Sequence, residues 1–312
     1  MVITVTLNPA MDKTLTLDGF SLGEVNRVIS ARNDIGGKGV NVSKVLKEFS
    51  IESAAMGFLG GAEEEVFRSE LKKMGITDKF ISIEGNTRTN TKIVDKRNNK
   101  VTEINESGPI VTREELLKFY NLFDDLVKPK DIVVLSGRVC RGIPDDIYGE
   151  LTERAKKREA KVIVDAEGIY LKHAINKKPD MIKPNEKEFG ELIGIGKPRD
   201  EELITEAKKL IQQGIKKVLI SRGENGSLLI TASGIYESKG LEVEMKSTVG
   251  AGDSMVAALV YSELNALGDK STLLMAESAG IAAVMKEGSE PCTINEVMKV
   301  AENLEKHLIR LA

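Results

Sequence analysis

The sequence predicts an α/β fold whose core is a mainly parallel sheet with helices on both faces. Three observations carry this: short β-branched runs, amphipathic stretches between them, and regular alternation of the two along most of 312 residues. The strand-like runs are VITVTL at 2–7, AAMGFL at 54–59, DIVVLSG at 131–137, KVIVDA at 161–166, MIKPN at 181–185 and KVLISRG at 217–223. Apolar residues between them recur at helical spacing, as in Val42, Val45, Leu46 and Phe49, and again in Leu203, Ala207, Leu210 and Ile211. From about 251 the chain reads as helical, over 251–267, 271–286 and 293–309. No repeat or low-complexity tract divides it, so residues 1–312 are expected to form one domain.

Two segments break the rhythm. Residues 13–33 and 87–105 alternate apolar and polar side chains, and the second carries a turn at Arg97-Asn98-Asn99 between two strand-like runs. Alternation of this kind marks antiparallel strands with one wet face. The two segments are expected to leave the main sheet together as a small β lid over one end of it. The alternative is an antiparallel edge of the main sheet itself.

Composition excludes several classes of function. Net charge is -3, from 45 basic and 48 acidic residues dispersed along the chain, which argues against a nucleic-acid partner. Cys140 and Cys292 are far apart and outside any paired metal spacing, so no disulfide framework is implied and a reducing cytoplasm fits. The start, MVITVTLNPAMDK, lacks the basic lead and long apolar run of a secretory signal, and no segment approaches the length of a membrane span. A cytoplasmic protein without a membrane partner is expected. His173 and His307 are the only histidines and neither lies near a second ligand, so acid–base chemistry falls to carboxylates.

Ligands of open α/β sheets bind outside the carboxyl ends of the strands, which is where the motifs are sought. DIGGKGVN at 34–41 packs three glycines around Lys38 and runs into a helix. A lysine in a first helical turn opposes the macrodipole. An anionic or polyhydroxylated ligand would reconcile it, since glycine N–H groups and the ammonium then converge on the same oxygens; otherwise Lys38 is a solvated residue on a glycine turn.

STVGAGDS at 247–254 is the stronger signal. Its Gly-Ala-Gly turn leads into a helix, placing the N–H groups of Ala251, Gly252 and Asp253 where an anion would bind. Asp253 either complements the macrodipole as a capping residue or accepts the proton of an alcohol beside the oxyanion nest. The second pairing is what phosphoryl transfer to an alcohol requires, and a depressed carboxyl pKa does not bar it, because the hydroxyl proton leaves late in a loose transition state.

KPNEKE at 183–188 reads first as a capping box of Asn185 and Glu188. In SRGENGS at 221–227, Gly223 and Gly226 permit close backbone approach or simply a hairpin. Arg27 and Arg88 fall in the lid segments, where most arginines are solvated. No G-x-x-x-x-G-K-[ST] occurs, and LNPAMDK lacks G-x-G-x-x-G, which disfavours P-loop and dinucleotide folds.

Taken in order, Asp12, GGKGVN, KPNEKE, SRGENG and STVGAGDS resemble the ribokinase-like sugar kinases of the phosphofructokinase B group, nearly from end to end. The resemblance implies a ribokinase-like three-layer α/β/α fold with its β lid, ATP and Mg2+ as cofactors, and a phosphorylated ketohexose as substrate. It implies that Asp253 accepts the sugar hydroxyl proton, with Gly250, Ala251 and Gly252 as the anion hole for the γ-phosphate. Asp12, Gly36, Gly37, Lys38 and Asn41 would hold the sugar, and Arg27 and Arg88 would reach from the lid to the phosphate it already carries. Lys183, Asn185, Ser221, Gly223 and Gly226 would line the ATP groove. Glu188, with Asn185, would support magnesium, which tends to keep part of its hydration shell. A homodimer through the lid is implied as well.

LGEVNR and the threonine of STVGAGDS tilt the resemblance toward fructose 1-phosphate as acceptor, giving fructose 1,6-bisphosphate, with tagatose 6-phosphate as the alternative. A noncatalytic sugar-phosphate sensor is a third reading, against which the intact Asp253 speaks. One departure stands out. Where this group commonly shows S-G-S-x-P-x-G, the chain has SGRVCRG at 136–142, with Arg138 for a small residue and Cys140 for a proline. Either the turn has shifted, the favoured reading, or Arg138 adds a phosphate contact.

Overall fold

Strand side chains alternate between two apolar layers, and that alternation sets the architecture. The computed structural model describes residues 1–311, arranged around an eleven-stranded sheet and a separate four-stranded one. From one edge the large sheet runs Leu308–Arg310, Ile235–Ser238, Ser227–Thr231, Lys217–Ser221, Met181–Ile182, Lys161–Asp165, Ile132–Ser136, Val2–Thr6, Ser53–Gly60 and Thr77–Asp78. Ile81–Ile83 pairs further along Ser53–Gly60. Pairing is parallel from Lys217–Ser221 onward and antiparallel among the first four strands.

Ile3, Val5, Val133, Leu135, Val162 and Val164 point into one layer, packing with Phe119, Phe123, Tyr148, Leu171 and Phe189 of four covering helices. Val2, Ile132, Val134, Ile163 and Leu219 point the other way, onto the helices Lys38–Glu48, Ala251–Leu264, Asp269–Val284 and Ile294–Leu304. The result is the three-layer α/β/α arrangement. Ala251–Leu264 is buried from Asp253 through Val260, as suits a helix apolar on every side.

The lid is a sheet of its own rather than an edge of the large one. Its order is Ser30–Gly36, Ala10–Leu17, Arg88–Asp95, Lys100–Asn105. The outer pairings are antiparallel and the central one is parallel. The central pair shares a direction because both strands continue from strands of the large sheet that flank Ser53–Gly60 and run parallel to it, one from Val2–Thr6 and the other from Ile81–Ile83. The turn at 97–99 is present, with Asn99 at φ 49°. Asp95 pins it to the preceding lid loop by accepting from the N–H groups of Gly19, Phe20 and Asn98.

Two stretches differ from the sequence expectation. Residues 293–309 are not helical throughout: the helix Ile294–Leu304 gives way to a 3-10 turn, Glu305–His307, and the edge strand Leu308–Arg310. Three residues are too few to show a period, and only pairing with Ile235–Ser238 defines them. In MIKPN only Met181–Ile182 is strand, because Pro184 lacks an N–H for the ladder. Asn185 keeps an isolated bridge to Ser221. No helix among the described residues is long and apolar enough to cross a membrane.

Candidate active site

The carboxyl ends of the parallel strands open beneath the lid into a cavity of about 510 Å³. The lid's registers build one wall. Asp12 stands opposite Asp34 and Asn90, Asn90 opposite Asn105, and Thr14 opposite Arg32 and Lys92, so these side chains share the face toward the cavity. Asn90 Nδ2 donates to Asp12 Oδ1 at 3.0 Å. Burial nevertheless raises the Asp12 carboxyl, against that hydrogen bond and the charges of Lys44, Lys92 and Arg88. A Cβ on Gly36 would lie 2.1 Å from Asp12 Oδ2, so the glycine is what lets the two strands seat this carboxylate between them.

The opposite wall is the start of the helix Lys38–Glu48, capped by Gly37 at φ 110° without a side-chain cap. Lys38 Nζ lies 3.3 Å from Asp165 Oδ2 and 4.0 Å from Glu188 Oε1. Asp165 is fully buried and also pairs with Lys183 Nζ at 3.2 Å. Burial alone would raise the Asp165 pKa; the two lysines outweigh it and hold the group low. Burial would likewise lower Lys38, but Asp165, Asp253 and Glu188 push it up. Carboxylates of the protein thus already justify the lysine that opposes the helix dipole.

Asp253 sits on the cavity floor in the first turn of Ala251–Leu264, behind the N-cap Gly250 at φ 80°. Asn41 Nδ2 donates to its Oδ2 at 2.9 Å. The helix terminus alone would depress this carboxyl. Burial, helped by the negative charge of Asp165, instead raises it to about 6, opposed by Lys38, the Asn41 hydrogen bond and Lys183. Gly250 and Gly252 line the cavity beside Asp253, while Ala251 between them does not.

Asn185 and Glu188 form the expected capping box, each accepting from the other's N–H at 2.8 Å. Both also line the cavity, as do Lys183 and Ser221. Gly223 and Gly226 do not line it; they form the hairpin between Lys217–Ser221 and Ser227–Thr231. A Cβ on Gly226 would lie 2.0 Å from the Ser238 carbonyl oxygen, a packing reason for that glycine. Arg27 is exposed in the loop between the first two lid strands and stands outside the cavity. Arg88 lines it, its guanidinium donating to the carbonyls of Asn8 at 3.1 Å and Glu106 at 3.3 Å.

Several residues escaped sequence reasoning. Asp165 ends the strand Lys161–Asp165 inside the run KVIVDA, and an acidic residue at the carboxyl end of a parallel strand was the available signal. Arg32 and Asp34, joined at 2.7 Å, occupy alternate positions on the cavity face of their strand. Arg138, which the atypical SGRVCRG run had already singled out, faces an adjoining recess together with Lys38 and Arg88.

A buried carboxylate at a helix N-terminus, glycines at its side and lysines around it are the equipment for moving a phosphoryl group onto an alcohol. Residues 5–296 match the pfkB family of carbohydrate kinases, and the chain belongs to that family. It is 34% identical over 287 residues to 1-phosphofructokinase of Bacillus subtilis (strain 168), spanning 92% of this chain and 93% of that one. Identity to 1-phosphofructokinase of Escherichia coli (strain K12) is 34% over 283 residues, 91% and 90% of the two chains. Among solved structures, the fold is similar to phosphofructokinase-2 from Escherichia coli, with a TM-score of 0.93, 23% identity, and 97% and 98% coverage. A possible 1-phosphofructokinase from Thermotoga maritima superposes with a TM-score of 0.88 at 27% identity, covering 100% of both chains.

Proposed function

We propose that this carbohydrate kinase transfers the γ-phosphoryl group of ATP to a ketohexose monophosphate, converting fructose 1-phosphate to fructose 1,6-bisphosphate. The observation that carries the reading is Asp253: a cavity-lining carboxyl, oriented by Asn41 and raised to about 6, beside the glycines of a helix N-terminus. A general base works best with a pKa near the operating pH, so burial improves this group for accepting an alcohol proton. A sensor would have no use for it. The curated relatives are 1-phosphofructokinases, which favours fructose 1-phosphate over tagatose 6-phosphate as acceptor.

In this reading Asp12, Gly36, Gly37, Lys38 and Asn41 hold the sugar, and Arg88 binds the phosphate it brings. Gly250, Ala251 and Gly252 present N–H groups to the moving phosphoryl, and Lys183, Asn185 and Ser221 border the nucleotide. The donor set suits Mg2+ carried on the nucleotide: no group of three or more candidate ligands exists among the described residues, but Glu188 and Asp165 both line the cavity, and Asp165 Oδ2 accepts no hydrogen bond, held only by the charge of Lys38 at 3.3 Å. Magnesium held by one or two carboxylates plus phosphates and water is the usual arrangement, and it would neutralise phosphate charge there. The lid over about 13–33 and 87–105 and the main sheet act as one kinase domain, dimeric through the lid. A cytoplasmic location follows, since both charged substrates are kept there.

Assaying fructose 1-phosphate and tagatose 6-phosphate side by side with ATP and Mg2+ tests the acceptor. Asp253→Asn is expected to lower kcat by about 10²–10⁴-fold while the sugar KM changes little. Turnover that survives this substitution refutes the mechanism.

A further inference from the structure

Beside the Asp253 cavity lies a second recess of about 310 Å³, continuous with it through Lys38, Arg88, Asn90, Asn105 and Glu188, which line both. Its chemistry is unusual. Of the ten buried side-chain polar atoms without a hydrogen-bond partner among the described residues, five belong to its walls: Thr6 Oγ1, Asn8 Oδ1, Arg88 Nε, Asn90 Oδ1 and Ser136 Oγ. Buried polar atoms left unpaired are costly and mark places where an absent polar partner belongs.

The recess also collects three cations. Lys38 is neutralised by Asp165, but Arg88 bonds only to carbonyl oxygens, and the neighbouring charge of Arg138 adds to the burial that lowers its pKa. Arg138 pairs through Nε with Glu167 Oε1 at 2.5 Å, and its side chain is otherwise 70% exposed. One edge of the guanidinium is therefore engaged and the rest of the fork is free to meet a second anion. The turn that carries it is held firmly. Tyr148 Oη donates to the carbonyls of Ser136 and Gly137, each at 3.0 Å, Gly137 N–H donates to the backbone carbonyl of Asp165 at 3.0 Å, and Asn8 Nδ2 donates to the carbonyl of Val139 at 3.2 Å. Cys140, in place of the proline, is buried.

We propose that Arg138 is a specificity-determining residue, closing this recess on the phosphate that the sugar already carries, opposite Arg88. The inference rests on the sugar-phosphate kinase reading and adds to it a residue peculiar to this chain's SGRVCRG loop. Glu167 holds the guanidinium in position and the incoming dianion shares it. The unpaired Thr6 and Ser136 hydroxyls and Arg88 Nε then donate to oxygens of that phosphate, while the Asn8 and Asn90 amide oxygens accept from the hydroxyls of the adjoining sugar carbons.

The test compares wild type, Arg138→Ser and Arg138→Lys. Losing a charge-assisted hydrogen bond to phosphate is expected to raise the KM for fructose 1-phosphate by about 10–100-fold in Arg138→Ser, and less in Arg138→Lys, which keeps the charge but not the fork. The KM for ATP and the kcat/KM for unphosphorylated fructose are expected to stay within about twofold, so discrimination between phosphorylated and plain sugar narrows. A sugar-phosphate KM unchanged in both variants overturns the proposal, as does a rise confined to the KM for ATP. Calorimetric binding of fructose 1-phosphate separates the two claims: a wild type that binds but does not turn over sinks the kinase reading alone, whereas undiminished binding by both variants sinks the role of Arg138.

Discussion

Asp253 stands between opposing influences, and their balance has a kinetic signature. Burial and Asp165 raise it to about 6, while Lys38, Asn41 and Lys183 restrain the rise. The free enzyme must hold this group ionised to accept a proton, so kcat/KM for the sugar phosphate is expected to fall below about pH 6, tenfold per pH unit. Asn41→Ala removes a hydrogen bond that favours the ionised form, so the acid limb is expected to move to higher pH; Lys183→Met moves it the same way. Profiles of kcat/KM against pH for the three proteins decide it, and a limb that stays put or moves down contradicts the assignment. The place of Asp253 was legible in STVGAGDS, because a glycine turn and an acidic residue at a helix start are adjacent in sequence. The direction of its pKa was not, because Asp165 and Asn41 reach it only through packing of distant segments.

At the scale of elements, six parallel strands and the glycine turns were legible because each is announced by a local run, whereas the short parallel strands Thr77–Asp78 and Ile81–Ile83 went unread. Ser227–Thr231, Ile235–Ser238 and Leu308–Arg310 were not legible either, being short strands whose existence depends on a neighbour already in place. The lid was legible as a unit from its alternation, yet its central parallel pairing depends on where both strands leave the large sheet. One lid feature remains unpartnered in the single chain. Val101 is 58% exposed on the same face as Asn90 and Lys92, and Leu22 and Val25 in the adjoining loop are 92% and 82% exposed. Exposed apolar side chains on a lid are what the proposed lid dimer would cover with a second lid. Val101→Asp with Leu22→Asp is expected to convert a dimer to a monomer in light scattering, without altering the thermal unfolding of the chain by more than a few degrees. A wild type that is monomeric at high concentration removes the lid dimer.

Across the whole molecule, stability and pH are linked through a buried carboxyl that does not line the Asp253 cavity. Glu277, on the helix Asp269–Val284, is buried beneath the hairpin and accepts from Ser227 Oγ at 2.5 Å. Burial raises it from 4.5 to about 7, with the Ser227 hydrogen bond and the charge of Arg222 opposing the rise. Arg222 is itself engaged by Asp200 at 2.7 Å and Glu237 at 2.8 Å, which leaves Glu277 without a dedicated counter-ion. Between those two pH values the folded protein holds a proton that the unfolded chain has released, so stability falls as pH rises through that window and levels off above about 7. The full effect is about 3 kcal/mol. Other groups titrate as well, and a comparison with Glu277→Gln isolates this one. The glutamine has the same shape and no proton to lose, so the two proteins are expected to match closely near pH 4.5 and the variant to be the more stable by about 3 kcal/mol near pH 8. Urea unfolding of both proteins at the two pH values measures the difference directly. A variant whose advantage does not grow with pH shows that Glu277 ionises in the folded state as easily as in water, and that the apolar layer beneath the hairpin is open to solvent.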